Sequence, residues 1–174
     1  MDESDSINDA IQASLTSFTR QFEDVSSDQY NEMRKCSFFD PIPGDYLARI
    51  AMESELKTYR AGENITLEGE PMRAFYVLMY GTATAYVDNI EVGRIHSGEC
   101  IGEGAFFASE VQSRSATVTT DDEAIVLVIR KSVVEKMEGE VRAYMDKALL
   151  LALFKKLQAA NKKIEDLLLG KSLS

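Results

Sequence analysis

The sequence predicts an α+β chain in which helical segments flank a central antiparallel β sandwich or roll. Three observations predict it. Apolar residues recur at steps of three or four before residue 56 and again from Lys131 onward. Between these segments, short β-branched and aromatic runs are separated by Gly, Pro, Asn and Asp. At 174 residues and 45% hydrophobic, the chain can bury one core and is too short for two ordinary domains.

In chain order, Ile7, Ile11, Leu15, Phe18, Phe22 and Val25 mark an amphipathic helix over residues 5–25. Ser26-Ser27-Asp28 offers capping side chains to a second short helix through Tyr30, Met33 and Arg34. Phe38-Phe39 follows, Asp40-Pro41-Ile42-Pro43-Gly44 breaks the pattern, and Asp45 to Ser54 is helical again with Leu47, Ile50 and Ala51 on one side. Strands are expected near Leu56–Tyr59, Asn64–Leu67, Phe75–Tyr80, Ala83–Val87, Glu91–Ile95, Ser115–Thr120 and Ile125–Ile129. The pairs Ala61-Gly62, Glu70-Pro71, Tyr80-Gly81, Asp88-Asn89 and Asp121-Asp122 supply turns.

Helical patterning resumes from Lys131 to Met137 and, after Gly139, runs to Leu169. In this last helix Leu150, Phe154, Leu157, Asn161, Ile164 and Leu168 form a heptad seam with Asn161 at an a position, the pattern of a parallel pair in register. The alternative is a helix folded back on its own core, with Leu149, Leu151 and Leu153 packed on the roll. The expected division is a helical segment at 1–36, a roll at 37–138 and a C-terminal helix at 139–174.

Composition narrows function. Nineteen basic against 29 acidic side chains leave a formal charge of −10, which disfavours nucleic acid as partner. One histidine, His96, and two cysteines, Cys36 and Cys100, cannot assemble a four-ligand zinc site. Two isolated cysteines make no disulfide framework, so a reducing, cytoplasmic setting is expected. The acidic start Met1-Asp2-Glu3-Ser4-Asp5-Ser6 is unlike a secretory signal, and the longest apolar run, Ala148 to Phe154, is far below the ~20 residues that span a bilayer. No nucleophile and base pair emerges, His96 being expected as a surface residue, so no enzyme is predicted. The initiating Met and the polar Gly170 to Ser174 suggest a complete chain, and with no helix-turn-helix after Leu169 any effector is expected to be reached through protein contacts.

The informative stretch is Gly98-Glu99-Cys100-Ile101-Gly102-Glu103-Gly104-Ala105-Phe106-Phe107, followed by Arg114-Ser115-Ala116-Thr117-Val118. Gly102 and Gly104 let backbone come close to a ligand and turn amide hydrogens toward an anion. Glu103 accepts hydrogen bonds, which suits a sugar hydroxyl, and Arg114 can bond two phosphate oxygens at once. Either feature alone is ordinary: Gly-Glu-Gly is usually a turn, and an arginine at a strand start is usually on the surface.

Together with Phe38-Phe39, Tyr59-Arg60-Ala61-Gly62-Glu63-Asn64-Ile65, Glu68-Gly69-Glu70 and Phe75-Tyr76-Val77-Leu78 leading to Gly81, this stretch makes residues 37–138 resemble a known family. It is the cyclic nucleotide-binding domain of protein kinase regulatory subunits, cyclic-nucleotide-gated channels and bacterial catabolite activator proteins. The resemblance implies an eight-stranded antiparallel β-roll, jelly-roll-like, that binds a cyclic purine nucleotide and needs no metal or other cofactor. It implies Glu103 on the ribose 2′-hydroxyl, Arg114 on the cyclic phosphate, and backbone amides of the turn from Gly102 through Gly104 and Ala105 beside it. Ile101 would line the apolar wall, Ser115 would touch phosphate or base, and Lys155 falls near the family's base-capping position. Ser115, where cGMP-selective relatives tend to carry threonine, favours cAMP over cGMP.

Three departures from the family pattern stand out. Eleven positions separate Glu103 from Arg114, a longer gap than usual; Gly104 replaces a leucine or isoleucine; and Ser113 replaces the proline before the arginine. The expected function is a cytoplasmic sensor that transmits ligand binding through the C-terminal helix, with a possible homodimer through that helix. The alternative is a degenerate domain acting as a ligand-independent dimeric interaction module.

Overall fold

The computed structural model describes residues 28–107 and 112–170. The helix expected over residues 5–25 and the capping pair Ser26-Ser27 lie outside the described residues. Helix α1 (residues 28–35) leads into a 3-10 turn (Ser37–Phe39) and helix α2 (Gly44–Glu53). Eight strands follow: β1 (Glu55–Tyr59), β2 (Asn64–Thr66), β3 (Ala74–Tyr80), β4 (Thr82–Val87), β5 (Ile90–His96), β6 (Cys100–Ile101), β7 (Thr117–Thr120) and β8 (Ala124–Arg130). A one-turn helix α3 (Gly104–Phe107) sits between β6 and β7, and helices α4 (Lys131–Glu135) and α5 (Gly139–Leu168) close the chain.

The strands form two four-stranded sheets, ordered β1-β8-β3-β6 and β2-β7-β4-β5, with antiparallel neighbours throughout. This is the expected α+β roll with flanking helices. Two of its details depart from the strand pattern in the sequence. Strand β6 is only two residues long, too short for an alternating signature, and lies in the glycine-rich stretch read above as a cradle. Strand β7 begins at Thr117 rather than Ser115, because the chain just before it is tied to the turn at residues 69–72 instead. There Arg114 N–H donates to Glu70 O at 2.8 Å, Gly69 N–H to Arg114 O at 2.9 Å, and Met72 N–H to Gln112 O at 2.7 Å. At Asp88 and Asn89 both residues have positive φ, 50° and 63°, the geometry of a two-residue hairpin turn whose twist matches its strands.

Two cores share the central strands. On one face of β3 and β8, Phe75, Val77, Leu127 and Ile129 pack against Phe39, Leu47, Ile50, Met145 and Leu149 of the helical layer. On the other face, Leu78, Ala124 and Val126 meet Ile65, Ala83, Ile101 and Val118 inside the roll. Burial on both faces explains why β8 is a continuous apolar run.

Helix α5 turns Val141, Met145, Ala148 and Leu149 to the roll, an i, i+4, i+7, i+8 stripe. Leu149 is fully buried, whereas Leu151 is 45% exposed, so only the first of these two leucines packs on the roll. The seam residues Leu150, Phe154, Leu157, Ile164 and Leu168 are all exposed on this single chain, by 55 to 82%. Among the described residues no helix is long and apolar enough to cross a membrane.

Candidate functional site

Strand β6 delivers the chain to Gly102, whose φ of 72° lies in the left-handed region that favours glycine. A second reason for glycine is spatial. A Cβ built there would stand 1.9 Å from Arg114 Nη1 and 3.2 Å from its Cζ. The guanidinium occupies the space a side chain at 102 would need.

Arg114 is 7% exposed. Its Nη2 donates to Ala74 O at 2.7 Å, and its Cζ lies 5.0 Å from the Tyr76 ring centroid. Nη1 is buried and has no hydrogen-bond partner among the described residues. Burial pushes the guanidinium pKa down, opposed by Tyr76, Glu70 and Glu103. Starting from an arginine value, the group nevertheless stays charged near neutrality. Among the described residues no carboxylate comes within ion-pair distance of it. A buried cation with an idle donor is costly unless an anion completes it.

Glu103, next in sequence, is engaged elsewhere. Lys156 Nζ donates to both of its carboxylate oxygens at 2.9 Å, and Cys100 Sγ lies 3.7 Å from Oε2. Cys100 pairs with Val77, on the helix-facing side of the sheet, whereas Ile101 pairs with Tyr76 on the roll side. The two polar residues singled out in the sequence therefore diverge: Arg114 serves the roll interior and Glu103 the helical layer. Burial pushes the Cys100 thiol up to about 12, with Lys156 partly opposing it.

Ile101 is buried in the roll core, and Ser115 is an exposed bend residue directly after Arg114. Gly104 and Ala105 open α3, and Met72 covers Gly104, where a Cβ would meet its Sδ and Cε at 3.7 Å. That is ordinary contact, so Met72 fills part of the space vacated by the family's larger residue. The lengthened loop before Arg114 lies partly outside the described residues, at 108–111.

Lys155 was expected near the ligand, yet its neighbour Lys156 is the lysine that reaches Glu103. Lys155 instead lines, with Ser37, Asp40, Glu99 and Leu151, a cavity of about 250 Å³ between the 3-10 turn and α5. The signal that identifies Lys156 is the roll-facing stripe itself, since Met145, Leu149 and Ala152 continue to position 156 in steps of three or four. Tyr76 was also missed as a partner of Arg114; its position two residues before the inward-facing Leu78 assigns it the same face.

Residues 56–140, from β1 through the start of α5, match the family described as "Cyclic nucleotide-binding domain". The roll belongs to the cyclic nucleotide-binding domain family. A curated relative, the cGMP-dependent protein kinase of Eimeria tenella, is 25% identical over 138 residues, covering 77% of this chain and 14% of that protein. The chain thus spans about one-seventh of that relative's length. The regulatory domain of Toxoplasma gondii PKA, solved with cAMP, superposes with a TM-score of 0.61 at 21% identity, covering 71% of this chain and 49% of that one. PKAR CBD2 bound to Sp-2Cl-cAMPS gives 0.65 at 19% identity, covering 88% and 97%. These likenesses show the fold, an eight-stranded β-roll with flanking helices.

Proposed function

We propose that the domain is a cyclic nucleotide sensor in which Arg114 takes the cyclic phosphate and helix α5 carries the response. The observation that carries this reading is the idle, buried Nη1 of Arg114 in the gap left by Gly102. A cyclic phosphate is a singly charged anion with two non-bridging oxygens, one axial and one equatorial. It would supply the missing acceptor and neutralise the buried cation through charge-assisted hydrogen bonds. Backbone amides of Gly104 and Ala105 lie next in chain to Glu103 and are assigned to the same phosphate. Ile101 forms part of the apolar floor, and Ser115 faces the open side beside Arg114.

We assign the ribose 2′-hydroxyl to Glu103, which must then turn from Lys156 or share its carboxylate with it. This makes α5 sensitive to ligand. A ligand moves a conformational equilibrium only by binding its two states unequally, and the Lys156–Glu103 ion pair is a contact whose strength differs between them. Lys155, one position away on the same helix, is assigned to the outer edge of the base site. Ser115 supports cAMP as the preferred ligand; the name of the Eimeria tenella relative makes cGMP the competitor. On this reading the unit is regulatory rather than catalytic, and the two buried free thiols favour a cytoplasmic setting.

Calorimetric titration of nucleotide-stripped protein with cAMP and cGMP tests this reading. Micromolar or tighter binding that is lost in Arg114→Ala supports it, and equal affinity in that variant overturns the phosphate assignment. A second reading, the dimeric interaction module, is favoured by the exposed seam from Leu150 to Leu168. It predicts a sedimenting dimer with no heat from either nucleotide. In that dimer Asn161→Leu would hold together but lose uniformity of oligomeric state.

A further inference from the structure

We infer that Tyr76 is the positioning residue of the anion site: its ring face fixes the plane of the Arg114 guanidinium so that Nη1 points into the Gly102 gap. This rests on the reading of Arg114 as the anion-binding residue. Residues 74 and 76 are two apart on β3, and each supplies one contact to the guanidinium, the Ala74 main-chain carbonyl to Nη2 and the Tyr76 ring to Cζ. The third surface is the glycine backbone at 102.

The hydrogen bond at Nη2 alone would leave the guanidinium free to pivot about that contact. A ring face 5.0 Å from Cζ removes that freedom, because tilting the plane would lose the attraction between cation and π-face. Tyr76 is itself held. It lies between Ile101 of β6 and Val128 of β8 across the sheet, one residue from the start of the Gly102 turn. The strand pairing that brings β6 to β3 therefore brings the ring beneath the cradle. Tyr76 also supports the charged form of Arg114 that burial weakens, through its hydroxyl rather than its ring face, and the phenylalanine variant separates the two contributions.

The test is calorimetric titration of the full chain with cAMP, using wild type, Tyr76→Phe, Tyr76→Leu and Tyr76→Met, with thermal unfolding measured alongside. Phenylalanine keeps the ring face and should bind within about 3-fold of wild type. Leucine and methionine keep apolar bulk without a π-face and should bind about 10- to 30-fold more weakly, the range of a desolvated cation–π contact. Titrations are run well below every melting point, so that the folded fraction is the same in all variants. Rescue by phenylalanine separates positioning from packing. Wild-type affinity in Tyr76→Leu overturns the inference while leaving the Arg114 reading intact, as does equal weakening in Tyr76→Phe. Failure of both aliphatic variants to fold also overturns it, since Tyr76 would then be a packing residue. Absence of binding by wild type overturns both readings.

Discussion

Replacing Gly102 by alanine adds one methyl group at the point where the cradle has no room for it. Two costs follow. The backbone φ of 72° places a Cβ in the left-handed region, at roughly 1–2 kcal/mol. The new carbon would also lie 1.9 Å from Arg114 Nη1, so the guanidinium must withdraw. Withdrawal breaks the 2.7 Å bond to Ala74 O, a contact of a charged donor worth about 1.5–3 kcal/mol, although hydration of the released cation offsets much of that. Stability should therefore fall by about 1–3 kcal/mol. Ligand affinity should fall further, because the cation no longer faces the phosphate: losing two charge-assisted bonds, about 3 kcal/mol in all, weakens binding more than 100-fold.

Gly62→Ala is the control. It has a similar φ of 82° but nothing within 4 Å of its Cβ position, so it carries the strain without the close approach. Urea unfolding and cAMP titration of the two variants check the reasoning. A smaller loss of stability in Gly62→Ala, with affinity lost only in Gly102→Ala, is expected. Wild-type affinity in Gly102→Ala would show that the cradle between Gly102 and Arg114 is not the anion site.

Other outcomes follow from the same geometry. Lys156→Ala frees the Glu103 carboxylate from a partly exposed ion pair worth at most about 1 kcal/mol. It should raise cAMP affinity up to about 5-fold at low salt, with no effect on 2′-deoxy-cAMP; a loss for cAMP would mean that Lys156 supports the ribose contact instead. Cys100, fully buried with its thiol pushed up to about 12, should resist iodoacetamide at pH 8 and react only as the protein unfolds, and rapid alkylation of the native protein would contradict that burial. Leu149→Ala, at a fully buried position joining α5 to the roll, should cost about 2–5 kcal/mol in chemical denaturation, and a cost below about 1 kcal/mol would mean that α5 is not seated there.

Much of the architecture is legible in local pattern. The continuous apolar run of β3, the Thr-Ala alternation at the start of β4, the turn pairs Tyr80-Gly81 and Asp88-Asn89, and the stepwise apolar stripe of α5 each lie within one short window. The same holds for the glycines and the glutamate of the cradle, and for Arg114 as a candidate cation. The two-residue β6 escapes such reading because its strand character comes from pairing with β3, not from its own sequence.

What the sequence by itself determined is which residues are available: an isolated arginine beyond a Gly-Glu-Gly turn, a long helix with two apolar faces, and an acidic surface. Tertiary structure alone decided what they meet. Arg114 reaches Ala74 across 40 positions, and Lys156 reaches Glu103 across 53. Contacts at that separation depend on sheet pairing and on the rotation of α5 about its axis, where one residue turns a side chain by about 100°. That rotation sets Lys156 rather than Lys155 on the carboxylate. Among the described residues the buried guanidinium meets no acidic partner, and the proposed anion site rests on that.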